Sequence, residues 1–390
     1  MQECQRLACV VGALALLATQ RAAPRRIALL LLLACVVVYV LATVVQNRIR
    51  MRRVCADGTN EVLLVEARLN GAPCLFLVDT GYAGPPVLSA SYLATGSSAG
   101  DASLSVTAQY ARALRLMDST RVGVEEQHAA IDSFLATSGC ASYTSGCTMR
   151  LMSIGATREQ QADLLMCKML QMRSVCGMYY APKRAAAGAD ADMFVTHALP
   201  QSVHILTCDF LRHTTPCYLN IGAEELHLNM PLVALQTVRA RAVAKVDVEF
   251  SGGALVVPLT VDGHVCRCTL DTGAPGPVCL GAAAAARIRA AAAMRPTHFR
   301  QHGVNGEVVC SDISTASVRL GSAAFDDVPV LANDADLDQV DGYVGLGFLR
   351  AFNILICGDG VYFARSGLAM RSQAHYDAVS HEGSCASRAS

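Results

Sequence analysis

Tryptophan is missing from the 390 residues, and all aromatics together make up 5% of the chain. So few flat rings provide little material for a stacking platform for bases or sugars. Charge of one sign is also missing: Lys plus Arg and Asp plus Glu number 32 each, for a net charge of +0. That balance gives no reason to expect a nucleic-acid partner. No tight Cys-x2-Cys pair occurs, so the usual zinc pattern has no foundation, and neither a metal nor a cofactor is expected. A glycine-rich phosphate loop with its lysine is absent too. No cysteine has a recognisable histidine partner, which leaves a cysteine-hydrolase assignment without support. What the chain does have is apolar content, 53%, and 17 cysteines. That number is odd, so at least one thiol is left over or pairs between chains. Cysteine use on this scale favours an oxidising compartment.

One stretch occurs twice. The first copy runs Asn70-Gly71-Ala72-Pro73-Cys74-Leu75-Phe76-Leu77-Val78-Asp79-Thr80-Gly81. The second runs Asp262-Gly263-His264-Val265-Cys266-Arg267-Cys268-Thr269-Leu270-Asp271-Thr272-Gly273. Asn-Gly and Asp-Gly between apolar runs are hairpin signals. Each copy therefore predicts a hairpin whose second strand ends in Asp-Thr-Gly. Gly84-Pro85 and Gly276-Pro277 extend the match. Two carboxylates on equivalent hairpins predict a pair that acts together at a pseudo-twofold junction.

These features resemble the aspartic proteases, the pepsin and retropepsin superfamily. The resemblance rests on Asp79-Thr80-Gly81, on Asp271-Thr272-Gly273, and on Val344-Gly345-Leu346-Gly347-Phe348-Leu349. That last run looks like the segment that closes each lobe in the family. It implies an all-β fold of two pseudo-symmetric lobes, 55–230 and 231–365. The compact second lobe looks retropepsin-like. Two lobes in one chain imply a site formed within that chain, with no dimer required. The catalytic pair is then Asp79 and Asp271. Thr80 and Thr272 would tie the two loops together, and Gly81 and Gly273 would let backbone approach the carboxylates. In the first lobe Ile205 to Arg212 matches Tyr343 to Arg350, but Thr207 stands where the second lobe has Gly345. Tyr82, after the first glycine, fits neither branch of the family.

At the amino terminus, residues 1–26 precede an uncharged run over 27–45. That length reaches the threshold for a helix crossing a core of about 30 Å. Arg25 and Arg26 flank it on one side; Arg48, Arg50, Arg52 and Arg53 flank it on the other. A buried core helix and a cleaved signal peptide are the alternatives, and the basic flanks and the length favour a single-pass membrane anchor with the lipid bilayer as partner. Arginine counts on the two sides are equal, so the side of the membrane is left open.

The first lobe is the longer. Its extra residues are assigned to an insertion at about 137–190, holding Cys140, Cys147, Cys167 and Cys176. Thr157 to Val175, rich in Gln, Leu, Met and Lys, is expected as a helix. Disulfide stapling is expected for these cysteines, with isolated buried thiols as the alternative. A mobile hairpin flap belongs near 105–117, with its tip unplaced. In the second lobe the Ala-rich run 281–294 predicts a helix, and 302–307 reads either as a flap tip or as an ordinary surface turn. Residues 366–390 are polar, without periodicity, and read as a disordered tail.

The expected function is a membrane-anchored aspartic endopeptidase that hydrolyses extended peptide or protein substrates with an activated water. The alternative is a catalytically degenerate relative serving as a binding or structural membrane protein. A membrane-anchored, cysteine-rich adaptor of unrelated fold is a further competitor.

Overall fold

The computed structural model describes residues 33–35, 47–55, 61–69, 72–89, 142–153, 156–167, 170–177, 179–180, 191–196, 203–251, 254–289, 295–302, 308–333, 337, 339–372 and 374–376. The first lobe begins with β1 (Arg48–Cys55), β2 (Glu61–Leu69), β3 (Ala72–Asp79) and β4 (Val87–Ser89). It continues with β5 (Ser142–Ser153), β6 (Ala156–Cys167), β7 (Leu170–Arg173), β8 (Tyr179–Tyr180) and β9 (Ala191–Thr196). β10 (Val203–Thr207), α1 (Cys208–His213), β11 (Cys217–Asn220) and β12 (Glu225–His227) close it. Helix α2 (Leu232–Ala240) leads into the second lobe. There follow β13 (Ala242–Val246), β14 (Glu249–Ser251), β15 (Ala254–Val261), β16 (His264–Asp271), β17 (Val278–Leu280) and α3 (Ala282–Arg289). The lobe ends with β18 (Arg295–His302), β19 (Val308–Leu320), β20 (Ala323–Ala332), β21 (Gly342–Gly345), α4 (Leu346–Leu349), β22 (Phe352–Cys357) and β23 (Gly360–Arg365).

Both repeated stretches form hairpins, β2–β3 and β15–β16. In the second, Asp262 and Gly263 turn with φ of 46° and 82°, the positive values that a two-residue turn needs to match strand twist. Each aspartate-bearing strand, β3 and β16, then pairs in parallel with the strand that precedes its lobe's closing helix. Thr207 stands opposite Asp79, and Gly345 opposite Asp271. The pairing pattern repeats further out. β4 joins β10 and, in parallel, β9; β17 joins β21 and, in parallel, β20. β9 then joins the β5–β6 hairpin, as β20 joins the β18–β19 hairpin.

A shared sheet joins the lobes, in the order β13-β23-β22-β11-β12-β1. β11 and β22 meet at its centre, Cys217 opposite Ile356 and Leu219 opposite Ile354. Alternating apolar residues bury one continuous core that runs through both lobes, including Phe76 and Phe210 on one side and Phe348, Phe352 and Phe363 on the other. Removing that much apolar surface from water is the main stabilising term.

The structure corrects several expectations. Among the described residues no helix is long and apolar enough to cross a membrane. Of the expected span 27–45, only 33–35 are described. The arginines counted as its second flank lie instead on β1. Arg48 pairs with Glu225 at 2.7 Å, Arg52 with Glu66 at 2.9 Å and Arg53 with Glu61 at 3.0 Å. Their charge serves carboxylates of the lobe. The single-pass anchor, the bilayer partner and the membrane localisation are therefore not upheld.

The helix expected over Thr157 to Val175 is also overturned, because β6 runs to Cys167 and β7 covers Leu170–Arg173. Sheet context overrides the helical preference of Gln, Leu and Met: β6 is flanked by β5 on one side and β9 on the other. This hairpin has a counterpart in the second lobe, and the flap region expected at 105–117 lies outside the described residues. The Ala-rich run does form a helix, α3; residues 303–307 lie outside the described residues. Cys208, Cys217, Cys266, Cys268, Cys279 and Cys357 are free thiols, so disulfide stapling does not extend to them. Cys140 of the expected insertion lies outside the described residues. The start of the polar tail packs against the second lobe, with Leu368 and Met370 on the core.

Candidate active site

Asp79 and Asp271 end β3 and β16, the two buried parallel-paired strands. A strand covered on both sides stops where its sequence no longer supplies ladder partners, and Thr-Gly turns the chain here. The turns are stabilised by the aspartates themselves. Oδ1 of Asp79 accepts from the N–H groups of Gly81 at 2.9 Å and Tyr82 at 3.1 Å. Oδ1 of Asp271 accepts from Gly273 and Ala274, both at 2.9 Å. One oxygen of each carboxylate is thus committed to backbone.

The threonines join the loops reciprocally. The Thr80 hydroxyl donates to the Leu270 carbonyl at 2.7 Å, and the Thr272 hydroxyl donates to the Val78 carbonyl at 2.6 Å. Each hydroxyl in turn accepts from the other threonine's N–H, at 3.2 Å and 3.1 Å. Both threonines are fully buried, at 2% and 0% exposure, where a satisfied network is rigid and an unsatisfied one costly.

The glycines permit the approach. A Cβ on Gly81 would stand 2.4 Å from Cγ of Asp271, and one on Gly273 would stand 2.6 Å from Cγ of Asp79. Each loop therefore lies against the opposite lobe's carboxylate, and the two aspartates are hydrogen-bond partners of one another. Burial pushes the Asp79 carboxyl well above the ordinary range, and the neighbouring charge of Asp271 pushes it further. Burial also raises Asp271, offset by the N–H groups that hold it. Such a pair retains one proton where an isolated carboxyl has lost it.

All six residues singled out in the sequence, Asp79, Thr80, Gly81, Asp271, Thr272 and Gly273, meet at this one place. The structure also accounts for Thr207. In the second lobe a Cβ on Gly345 would stand 2.3 Å from the Gly276 carbonyl oxygen. At the corresponding place in the first lobe, the Thr207 hydroxyl donates to the Gly84 carbonyl at 2.6 Å and accepts from the Phe210 N–H at 3.3 Å. Gly84 has φ of 106°, a conformation that glycine adopts at no cost. The loop is shaped to accept a side chain, and Thr207 additionally caps α1. Tyr82 is buried beside Asp79, its phenol pushed up by burial first and by the Asp79 charge second.

Sequence reasoning missed Glu61, Arg371 and Tyr376, which lie behind the second loop. The one available signal was a tyrosine in an otherwise polar tail. Among the described residues no cluster of three or more His, Cys, Asp or Glu side chains could hold a metal ion.

Residues 257–348 match the aspartyl protease family. That span runs from β15 through most of α4 and contains Asp271, Thr272 and Gly273. No curated protein sequence matches the chain. Solved structures similar to it include a retropepsin-like aspartic protease from Rickettsia conorii, at 17% identity and a TM-score of 0.23, covering 30% of this chain and 88% of that one. Basic 7S globulin from soybean is similar at 9% identity and a TM-score of 0.41, covering 81% of this chain and 94% of that one. An aspartic proteinase from Irpex lacteus follows at 11% identity and a TM-score of 0.40, covering 82% and 97%. The family match covers residues 257–348 alone, and the likeness to aspartyl proteases is a distant one, to no particular member.

Proposed function

We propose that the chain is an aspartic-type endopeptidase in which Asp79 and Asp271 act as one acid–base pair on a water molecule. The observation that carries this is the reciprocal grip, in which Thr80 and Thr272 each bond to the strand of the other lobe. A chance pair of Asp-Thr-Gly turns has no need of it. The grip holds two buried carboxylates at hydrogen-bond range, where they cannot both ionise readily. With one proton on the pair, the ionised member takes a proton from water. The protonated member donates to the scissile carbonyl, and the roles exchange as the tetrahedral species collapses. The backbone N–H groups of Gly81, Tyr82, Gly273 and Ala274 fix the carboxylate planes, so little reorganisation is needed during the reaction. The superfamily likeness points to an extended peptide as substrate.

The test is cleavage of a diverse peptide library by the full chain over about pH 3 to 8, beside Asp79→Asn and Asp271→Asn. The wild type should give a bell-shaped profile, because the pair must hold one proton and only one. Each substitution alone should lower kcat by about 10³-fold or more. An active Asp79→Asn protein excludes a shared site. A folded wild type that cleaves nothing supports a binding role for the same site.

A further inference from the structure

The chain does not end its work at β23. Ser366 donates its N–H to the Ala351 carbonyl at 2.9 Å and its hydroxyl to the Arg350 carbonyl at 2.6 Å. Leu368 and Met370 pack on the main core. The Arg371 N–H then donates to the Gly347 carbonyl at 3.0 Å. Its guanidinium donates to Glu61 at 3.0 Å. Glu61 starts β2 in the first lobe, is 4% exposed, and also receives Arg350 at 2.7 Å and Arg53 at 3.0 Å. The segment thus crosses from one lobe to the other behind the carboxylate pair.

Tyr376 ends the crossing. It is 1% exposed and packs with Ala274, Cys279, Leu331 and Tyr343. A Cβ on Gly347 would stand 2.1 Å from its hydroxyl, so the glycine of α4 makes the room that the phenol fills. Both contacts lead directly to the catalytic loop. Ala274 gives its N–H to Asp271. The Ala274 carbonyl accepts from the Leu346 N–H at 2.7 Å, and the Gly276 carbonyl accepts from the Gly347 N–H at 2.9 Å. A short chain of rigid contacts connects the phenol to the Asp271 carboxylate.

We propose that residues 366–372 and 374–376 are a brace that sets the position of the Asp271 loop, with Tyr376 and Arg371 as its positioning residues. The brace rests on the reading of Asp79 and Asp271 as a working pair, and it acts on one member only. It anchors α4 and Ala274 from behind, and through Glu61 it fixes them relative to the first lobe. In the first lobe the residue corresponding to Ala274 is Tyr82, which carries its own buried ring in the loop. The second lobe has a small residue at that place and receives its ring from the C-terminal segment.

The test uses the full chain and reads amide hydrogen exchange at Gly273 and Ala274 against Gly81 and Tyr82. Tyr376→Ala should speed exchange at Gly273 and Ala274 by about tenfold while Gly81 and Tyr82 stay within about twofold, since local opening follows local packing. Tyr376→Phe keeps the ring and should leave all four amides as in wild type. If Tyr376→Ala does not fold, Tyr376→Leu keeps most of the volume and should show the same one-sided effect. Equal acceleration at both loops, or none at either, overturns the brace. In the peptide assay Tyr376→Ala should lower kcat by about tenfold with KM little changed, because only the geometry of the reacting groups is altered. A wild type without peptidase activity would defeat the proposed function, and the exchange measurement would still decide the brace.

Discussion

The two lobes solve the same crossing differently. In each, the strand before the closing helix passes behind the loop that follows the aspartate, β10 behind residues 82–85 and β21 behind residues 274–277. The second lobe uses Gly345, and its loop carbonyls lie where a side chain would begin: Gly276 oxygen at 2.3 Å and Ala274 oxygen at 2.8 Å from a Cβ. The first lobe uses Thr207 and converts the same proximity into a 2.6 Å hydrogen bond to the Gly84 carbonyl. The difference teaches that glycine at this place is one solution to a spacing problem. A loop set slightly further off, with Gly84 at positive φ, admits a hydroxyl that then holds it. Departure from the family pattern at 207 is therefore compensated within the lobe.

Exchanging the two residues is the strongest way to break this comparison. Gly345→Thr forces a Cβ onto backbone oxygens that cannot rotate away, and overpacking of that kind should cost about 3 kcal/mol or more. Thr207→Gly removes a buried hydrogen bond and a helix cap, for about 1–2 kcal/mol. Urea midpoints of the two variants measure the difference. If Gly345→Thr is tolerated as well as Thr207→Gly, the two loops have equal clearance and the contrast fails.

Much of the architecture was legible because it is written in neighbouring residues. Asn70-Gly71 and Asp262-Gly263 with the apolar runs after them are local signals for a hairpin, and Val344 to Leu349 is a local signal for a closing turn and helix. The six site residues followed from repetition of one short stretch. What was not legible depends on residues far apart in the chain. Gln160, Gln161, Leu164 and Leu165 favour a helix in isolation, yet they lie in a strand because β5 and β9 flank them. The arginines from Arg48 to Arg53 look like the flank of an apolar run until Glu61, Glu66 and Glu225 are brought beside them. Residues 366–376 look like a polar tail, because Tyr376 finds its partners in Ala274 and Gly347, about a hundred and about thirty positions away. Thr207 looks like a defect until the carbonyl of Gly84 is placed opposite its hydroxyl.

At the pair itself the lobes are alike, and a matched set of substitutions sharpens that likeness. Gly81→Ala directs a methyl group at Cγ of Asp271, and Gly273→Ala directs one at Cγ of Asp79. The obstacle in both is a short side chain held by two N–H donors, so the carboxylate rather than the backbone has to move. Each variant should lower kcat by about 10²-fold, the usual cost of a misplacement near 1 Å. Both should also melt below wild type and by similar amounts, because the carboxylate must leave its N–H donors inside a buried network. A difference of more than about tenfold between the two variants would mean that the loops do not share one symmetric contact.

The smallest effect comes from the burial of the pair. Burial raises both carboxyls above the ordinary range. A carboxyl raised in the folded state favours folding relative to its ionised form only while it keeps its proton. Below the unfolded value of about 3.9 both states are protonated and nothing is gained or lost. As pH rises past that value the unfolded chain ionises first, and stability falls until the folded pair has ionised too. Asparagine removes this loss, and its carbonyl oxygen can still accept from Gly81 and Tyr82. Asp79→Asn should therefore melt above wild type at about pH 7, the gain vanishing near about pH 3. A rise on the order of 2 °C corresponds to about 1 kcal/mol in a chain of this size. Asp271→Asn should show the same trend. Calorimetric melting of the three proteins across pH measures both. A gain that grows toward acid in either variant would mean that the folded pair favours the ionised form, against the burial that raises it.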